Sequence, residues 1–143
     1  ALDLLGRKLI ASQGAGSRLL LARIAETVAR ARERVPGYAD QLAAAAAAVA
    51  DVTARLWRDG DAAYALQSAG IYLDAVGQVV VAWLWLDQLL TVEGRTVGDD
   101  GFALGKHAAA QYFYAYELPV ALAALQTTAT RERLFLGLDP SWL

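Results

Sequence analysis

Apolar residues recur at steps of three and four along most of the chain, a spacing that predicts helices rather than strands. Leu20, Leu21, Ile24, Val28 and Ala31 form one such stripe and predict a helix over 18–34, with Ser17 placed to cap it. Leu42, Ala45, Val49, Val52 and Leu56 form a second stripe and predict a helix over 38–58. The alanine run inside it, Ala43 to Ala48, favours helix and lets a neighbouring helix approach closely. The breaks are SQGAG (12–16), VPG (35–37), DGD (59–61) and VEGRTVGDDG (92–101). Pro36-Gly37 is expected to make the turn between the first two long helices. Asp61 is expected to cap a third over 62–91, about 45 Å long at 1.5 Å per residue. A fourth is predicted over 100–130, bent at Pro119, and a short lead-in helix over 3–11. The expected fold class is all-α, an antiparallel up-and-down four-helix bundle with a short N-terminal lead-in helix, forming one domain.

The last two helices are apolar on more than one side. Along 62–91, Leu66, Gly70, Leu73, Gly77, Val80 and Leu84 make one stripe. Ile71, Ala75, Val79, Ala82, Leu86 and Leu89 make another, almost opposite, with Trp83 and Trp85 on the shoulders between. Along 100–130, Phe102, Ala109, Phe113, Val120 and Ala124 oppose Leu104, His107, Tyr114, Leu118, Leu122 and Leu125. A helix in a free-standing bundle needs one apolar stripe. The second predicts a docking surface, for which the candidate residues are Ile71, Val79, Trp83, Trp85, Leu86 and, from the tail LFLGLDPSWL, Trp142. The alternative is that the lead-in helix and the tail close over the outer stripes.

Composition sharpens this reading. Of 143 residues, 57% are apolar, a high share for a globular domain. Thirteen basic residues against 15 acidic ones leave a net charge of −2, without the concentrated basic face that nucleic acid requires. The absence of cysteine excludes disulfides, thiolate catalysis and cysteine metal sites, and one histidine cannot build a histidine-rich metal site. The uninterrupted apolar run, Val79 to Leu86, is short against the roughly 20 residues of a membrane span, so burial in protein is expected. The chain has no methionine, and its first residues do not make a signal peptide; both suggest a piece of a longer chain.

The candidate chemistry is thin. His107 falls within an apolar face and has no nucleophile or acidic partner in a recognisable order, so a structural role outweighs a general base. Lys106 precedes the aromatic cluster QYFYAYE (111–117) and offers a cation to a ring. The bland account of that cluster is packing, with tyrosine hydroxyls at the wet edges. Arg23, Arg30 and Arg34 share a polar face that could meet phosphate but reads better as solvated surface. Asp59 with Asp61, and Asp99 with Asp100, lie in turns and look like caps. GAGS (14–17) follows no strand and is a poor phosphate loop. No catalytic residue and no metal site is expected.

Three segments carry a resemblance. ALDLLGRKL at the start is similar to the stretch that follows "YEGT…IQ" in flavin-dependent acyl-CoA dehydrogenases. YLDAVGQVVVAWLWL (72–86) resembles a helix of the extra C-terminal domain in the long members of that superfamily. Lys106 followed by AQYFYAYELP (110–119) resembles that domain's lysine-then-"FY…LP" signature. The best-known relatives are of the 3-methylmercaptopropionyl-CoA dehydrogenase type, and the resemblance covers nearly the whole chain.

The resemblance implies a parent enzyme that binds FAD and removes two hydrogens across the α and β carbons of an acyl-CoA. In the family a glutamate of the "YEGT" stretch takes the α proton while the flavin takes a hydride. That glutamate, the flavin site and the acyl pocket would all lie upstream of Ala1. The chain itself is therefore expected to be non-catalytic and to hold no cofactor. Its expected partners are the remainder of its own dehydrogenase chain and a dimer mate, in the cytoplasm, with no nucleic acid and no membrane span. The rival is a free-standing helical module that binds an apolar ligand or a partner helix. A membrane-surface role is disfavoured by the lack of a lysine-rich amphipathic helix.

Overall fold

The computed structural model describes residues 1–8, 14–93, 100–130 and 138–142, and every regular element among them is helical. Asp3–Lys8 forms a single π-wound segment, α1. It is followed by α2 (Ala15–Ala31), α3 (Pro36–Leu56), the short α4 (Ala62–Leu66) and α5 (Ala69–Glu93). Then come α6 (Asp100–Tyr112), a π turn (Phe113–Glu117) and α7 (Leu118–Thr128), with a 3₁₀ turn at Pro140–Trp142. Parts of the expected lead-in helix, of the SQGAG and VEGRTVGDDG breaks and of the tail lie outside the described residues.

The local chemistry corrects several expected boundaries. Ser17 is not the cap of α2. Gly14 is, in the left-handed conformation at φ 75° that glycine adopts without strain, and Ser17 Oγ donates back to its carbonyl at 2.8 Å. Pro36-Gly37 is not the inter-helix turn. Pro36 occupies the first turn of α3, where its missing N–H costs nothing, and the reversal is made by Arg32 to Arg34. Asp61 does cap its helix, accepting from the Tyr64 N–H at 3.1 Å, but that helix lasts five residues before Gln67 and Ser68 break it from α5. Pro119 cannot donate to the carbonyl four residues back. The preceding turn opens instead to a five-residue step, Leu118 N–H to Phe113 O, so the expected bend takes the form of a π turn.

α5 is the central rod, packed against α2, α3, α6 and α7. By length and composition Ala69–Val92 could cross a membrane, and it is the one helix among the described residues of which that is true. The core is continuous: Ile24, Val28 and Ala31 of α2 and Leu42, Ala45 and Val52 of α3 meet Ala75, Val79, Ala82 and Leu86 of α5, with Tyr114, Leu118 and Leu125 beside them. Alanines 39, 45, 75, 82 and 110 are almost fully buried, so small side chains separate the close-packed rods. From α1, Leu5 is buried and Gly6 lies against Leu66, where an added Cβ would meet a methyl at 3.4 Å.

Candidate functional site

Residues at positions i and i+2 on a helix project 200° apart. Trp83 and Trp85 use that divergence to serve two different junctions of α5. Trp83 turns toward α2. Its indole N–H donates to Thr27 Oγ1 at 2.8 Å, and Thr27 is buried. Arg30 Nη2 donates to the same oxygen at 3.2 Å and reaches across to Asp87 Oδ1 at 2.8 Å. Thr27 completes its set by donating to the Arg23 carbonyl. Its hydroxyl, with one proton and two lone pairs, is thereby saturated.

Trp85 turns toward α6. Lys106 Nζ lies 5.2 Å from its ring centroid and 5.5 Å from that of Phe102, and donates to Gln88 Oε1 at 2.8 Å. The ammonium is held by two π-faces and a neutral amide, a cation clamp between α5 and α6. Sequence reasoning brought Lys106 toward aromatic rings but named the wrong cluster. Its partners are Phe102, one turn earlier, and Trp85 on the neighbouring helix. His107, next to Lys106, is half-buried.

A third set of polar contacts runs through the interior. The Tyr114 hydroxyl donates to the Ala82 carbonyl at 2.9 Å, and its ring lies 4.8 Å from that of Tyr38. Burial first, and the neighbouring Tyr38 second, push the Tyr114 phenol well above its ordinary pKa. Tyr72 and Thr53 share a hydroxyl hydrogen bond at 2.6 Å; burial raises the Tyr72 pKa, and the bond to Thr53 opposes that in part. These groups fasten helices to one another, and their protons are committed to protein acceptors.

The expected docking residues divide. Ile71 and Trp142 are exposed, while Trp83 and Trp85 are partly buried against the chain's own core. Val79 and Leu86 are buried and cannot belong to a surface: their stripe is the inward one, because α5 turns Ala75, Val79, Ala82, Leu86 and Leu89 into the core. Val81 and Leu84 are exposed on the other side of α5, while Ile71, from the inward stripe, is exposed in the first turn of that helix. Sequence reasoning missed a longer exposed row on the last helices, Leu104, Tyr112, Tyr116 and Val120, with the Tyr112 and Tyr116 rings tilted against each other at 5.2 Å between centroids. A four-residue step from Leu104 to Val120 was available in the sequence to find it. Of the expected arginine face, Arg23 is paired with Glu26 and Arg30 with Asp87, while Arg34 is exposed in the turn after α2. Among the described residues, no group of three or more histidine, cysteine or acidic side chains could hold a metal ion.

A family model described as "Acetyl-CoA dehydrogenase C-terminal like" matches residues 20–139. No curated protein and no solved structure matches the chain.

Proposed function

Because the chain belongs to the acetyl-CoA dehydrogenase C-terminal-like family, we propose that it is the C-terminal helical domain of a FAD-dependent acyl-CoA dehydrogenase, itself non-catalytic, which docks on the dehydrogenase body. The observation that carries this reading is the apolar surface left over once the core is complete: Ile71, Val81 and Leu84 on α5, and Leu104, Tyr112, Tyr116 and Val120 on α6 and α7. Scattered single apolar residues are ordinary on a surface, but a row such as Leu104, Tyr112, Tyr116 and Val120 marks contact with another body.

The packing supports a finer architectural reading. α2, α3, α5 and the α6–α7 rod are each in contact with α5 or are α5 itself, and sequential neighbours pack on one another. This is what an up-and-down four-helix arrangement of short-looped rods would produce. The parent is read as the 3-methylmercaptopropionyl-CoA dehydrogenase type, acting in the cytoplasm. Its reaction is the removal of two hydrogens across the α,β bond of an acyl-CoA thioester.

FAD belongs to that parent rather than to this chain. Several of the polar side chains that the fold draws inward are spent internally, Thr27 on Trp83 and Arg30, Tyr114 on Ala82, Tyr72 on Thr53. They do not fit a flavin cradle, and no step of the dehydrogenation is assigned to them. The chain's own contribution is to hold rigid apolar faces against the body and so stabilise the assembly.

The test is reconstitution. The dehydrogenase body encoded upstream, expressed without this domain, is expected to bind the added chain, to gain thermal stability and to retain flavin longer. Ile71→Asp with Leu84→Asp, both on the surface and so harmless to folding, is expected to reduce those gains. A body that neither binds the chain nor changes its flavin retention would refute the reading and favour a free-standing module.

A further inference from the structure

We propose that the outer seam of α5, from Gly70 to Gln88, takes one helix of the parent dehydrogenase body. That helix carries a basic residue against Asp74 and, two heptads away, an acidic residue against Lys106. The inference rests on the preceding reading in taking the body as the partner. It goes further in naming the groove, the element that fills it and the charges that element carries.

The first support is the repeat. On the inner side of α5, Ala75, Val79, Ala82, Leu86 and Leu89 step by four and three, and all are buried. On the opposite side Gly70, Asp74, Gly77, Val81, Leu84 and Gln88 step by four and three as well. The first five of these are exposed, Val81 at 37% and Leu84 at 49%. Such a 3.5-residue repeat is the spacing of a helix that lies along another helix. α5 therefore carries two seams back to back, and the chain's own helices fill the inner one.

The second support is glycine. Inside a helix glycine costs about 0.5–1 kcal/mol relative to alanine. Gly70 and Gly77 have ordinary helical backbone, and a Cβ built on either meets nothing within 4 Å. Among the described residues, then, nothing requires either position to be small. What glycine offers there is a close approach to α5 from outside, toward the short end of the roughly 8–10 Å between packed helices.

The third support is charge. Asp74 is exposed on the seam and has no hydrogen bond or ion pair among the described residues. At the other end Gln88 accepts from Lys106 Nζ at 2.8 Å, and the remaining contacts of that ammonium are two π-faces. It is half-buried, it has protons left to donate, and no carboxylate among the described residues offsets it. The flank formed by α2 supplies neither partner, since Arg23 is paired with Glu26 and Arg30 with Asp87. An unpaired acid at one end and an uncompensated base about 21 Å along the rod define the complementary helix.

The area decides where that helix comes from. The largest exposed side chains of the seam are Val81 and Leu84. A single helix laid on them buries well under the roughly 1,200 Å² of a stable complex between separate proteins. It suits a partner in the same chain, for which a covalent link supplies the effective concentration. A second copy or an unrelated protein has no such link.

The test uses the full-length parent. Leu84→p-benzoylphenylalanine, irradiated and digested for mass spectrometry, is expected to crosslink within its own chain to a helix of the body. That helix is expected to bear a basic and an acidic residue two heptads apart. Gly77→Leu is expected to make trypsin cut the junction of body and domain about tenfold faster, the effect of overpacking a close contact, with helical circular dichroism unchanged. Asp74→Lys is expected to do the same, and exchanging the basic residue of the crosslinked helix for an acid is expected to restore resistance. Crosslinks to a second chain, or to no helix of the body, overturn the proposal. Unchanged digestion of both variants overturns it as well. If Tyr116→Asp alone then loosens the junction, the body docks on the other face and the reading of a docking domain stands. If Tyr116→Asp also has no effect, that reading falls with the proposal.

Discussion

Trp83 of α5 donates its indole N–H to Thr27 of α2 at 2.8 Å, and this bond fixes the register of the two helices. Thr27 is almost fully buried, and its oxygen also accepts from Arg30. Thr27→Val keeps the shape and strands the indole N–H. The expected loss is about 1–3 kcal/mol of unfolding free energy, the cost of an unsatisfied buried donor. Trp83→Phe leaves Thr27 its other partners and should cost less through hydrogen bonding, though it also removes packed area. The double variant should lose less than the two singles together, because both remove the same bond. Urea unfolding followed by circular dichroism measures all three.

Around the same cluster, the Arg30–Asp87 ion pair is a surface feature, both side chains being at least half exposed. Asp87→Asn is expected to cost no more than about 1 kcal/mol and to lose even that in high salt. Equal destabilisation by Asp87→Asn and Thr27→Val would show that the charge, not the buried hydroxyl, organises the junction.

Lys106 clamps α6 onto α5 through Trp85, Phe102 and Gln88. Lys106→Met retains most of the stem and removes the ammonium. With the group half-buried, the expected cost is about 0.5–1 kcal/mol, the range of a partly solvated cation–π contact. Tryptophan emission should change together with the loss, since Trp85 sits under the charge. An unchanged spectrum and an unchanged midpoint in urea would assign Lys106 to solvent.

The helical period of the sequence carries the core of α2, α3 and one side of α5 almost residue by residue. Ile24, Val28, Leu42, Val49, Val52, Ala75, Val79 and Leu86 are all buried. It could not say which stripe of α5 faces inward. Both stripes are apolar, and only packing against α2, α3, α6 and α7 decides, which is why Val79 and Leu86 were placed on a surface they do not reach. Along the last helices the fixed 100° step fails at Phe113–Glu117, where the π turn changes the angle per residue. Leu104 and Tyr114, read as one face, are one exposed and one buried, because ten regular steps already set them about 80° apart. Turn chemistry was legible at Asp61, whose carboxylate caps α4, and misread at Pro36-Gly37, because a proline pair near a helix start suits its first turn as well as a loop. The two tryptophan junctions depend on partners 56 and 18–21 positions away in sequence, Thr27 for Trp83 and Lys106 for Trp85, beyond any local pattern.

Asp61 should reward a conservative test. Its carboxylate accepts the Tyr64 N–H, and Gly60 before it is left-handed at φ 67°. Asp61→Ala is expected to cost about 1 kcal/mol, and Asp61→Asn much less, because asparagine caps nearly as well. Gly60→Ala meets no side chain but is strained by its backbone, so about 1 kcal/mol is expected there too. Thermal unfolding resolves these changes.

Tyr114 makes the fold sensitive to alkali, and the sign follows from its burial. In the unfolded chain a tyrosine ionises near pH 10. In the fold, burial holds the Tyr114 phenol protonated to higher pH, and Tyr72 is shifted the same way. Below pH 10 both states are neutral and this contribution is fully present. As pH rises past 10 the unfolded state sheds protons that the folded state keeps, so the unfolded state is favoured and stability falls. Tyr114→Phe removes the bond to the Ala82 carbonyl at a cost of about 1 kcal/mol at neutral pH, since that carbonyl lies within α5 and keeps its helical role. It also removes a titrating group. The variant is therefore expected to be less stable than the parent at pH 7 and to lose less between pH 10 and pH 12, so that the two stability curves converge. Parallel curves across that range, measured by urea unfolding at each pH, would mean that Tyr114 ionises as readily in the fold as in the open chain.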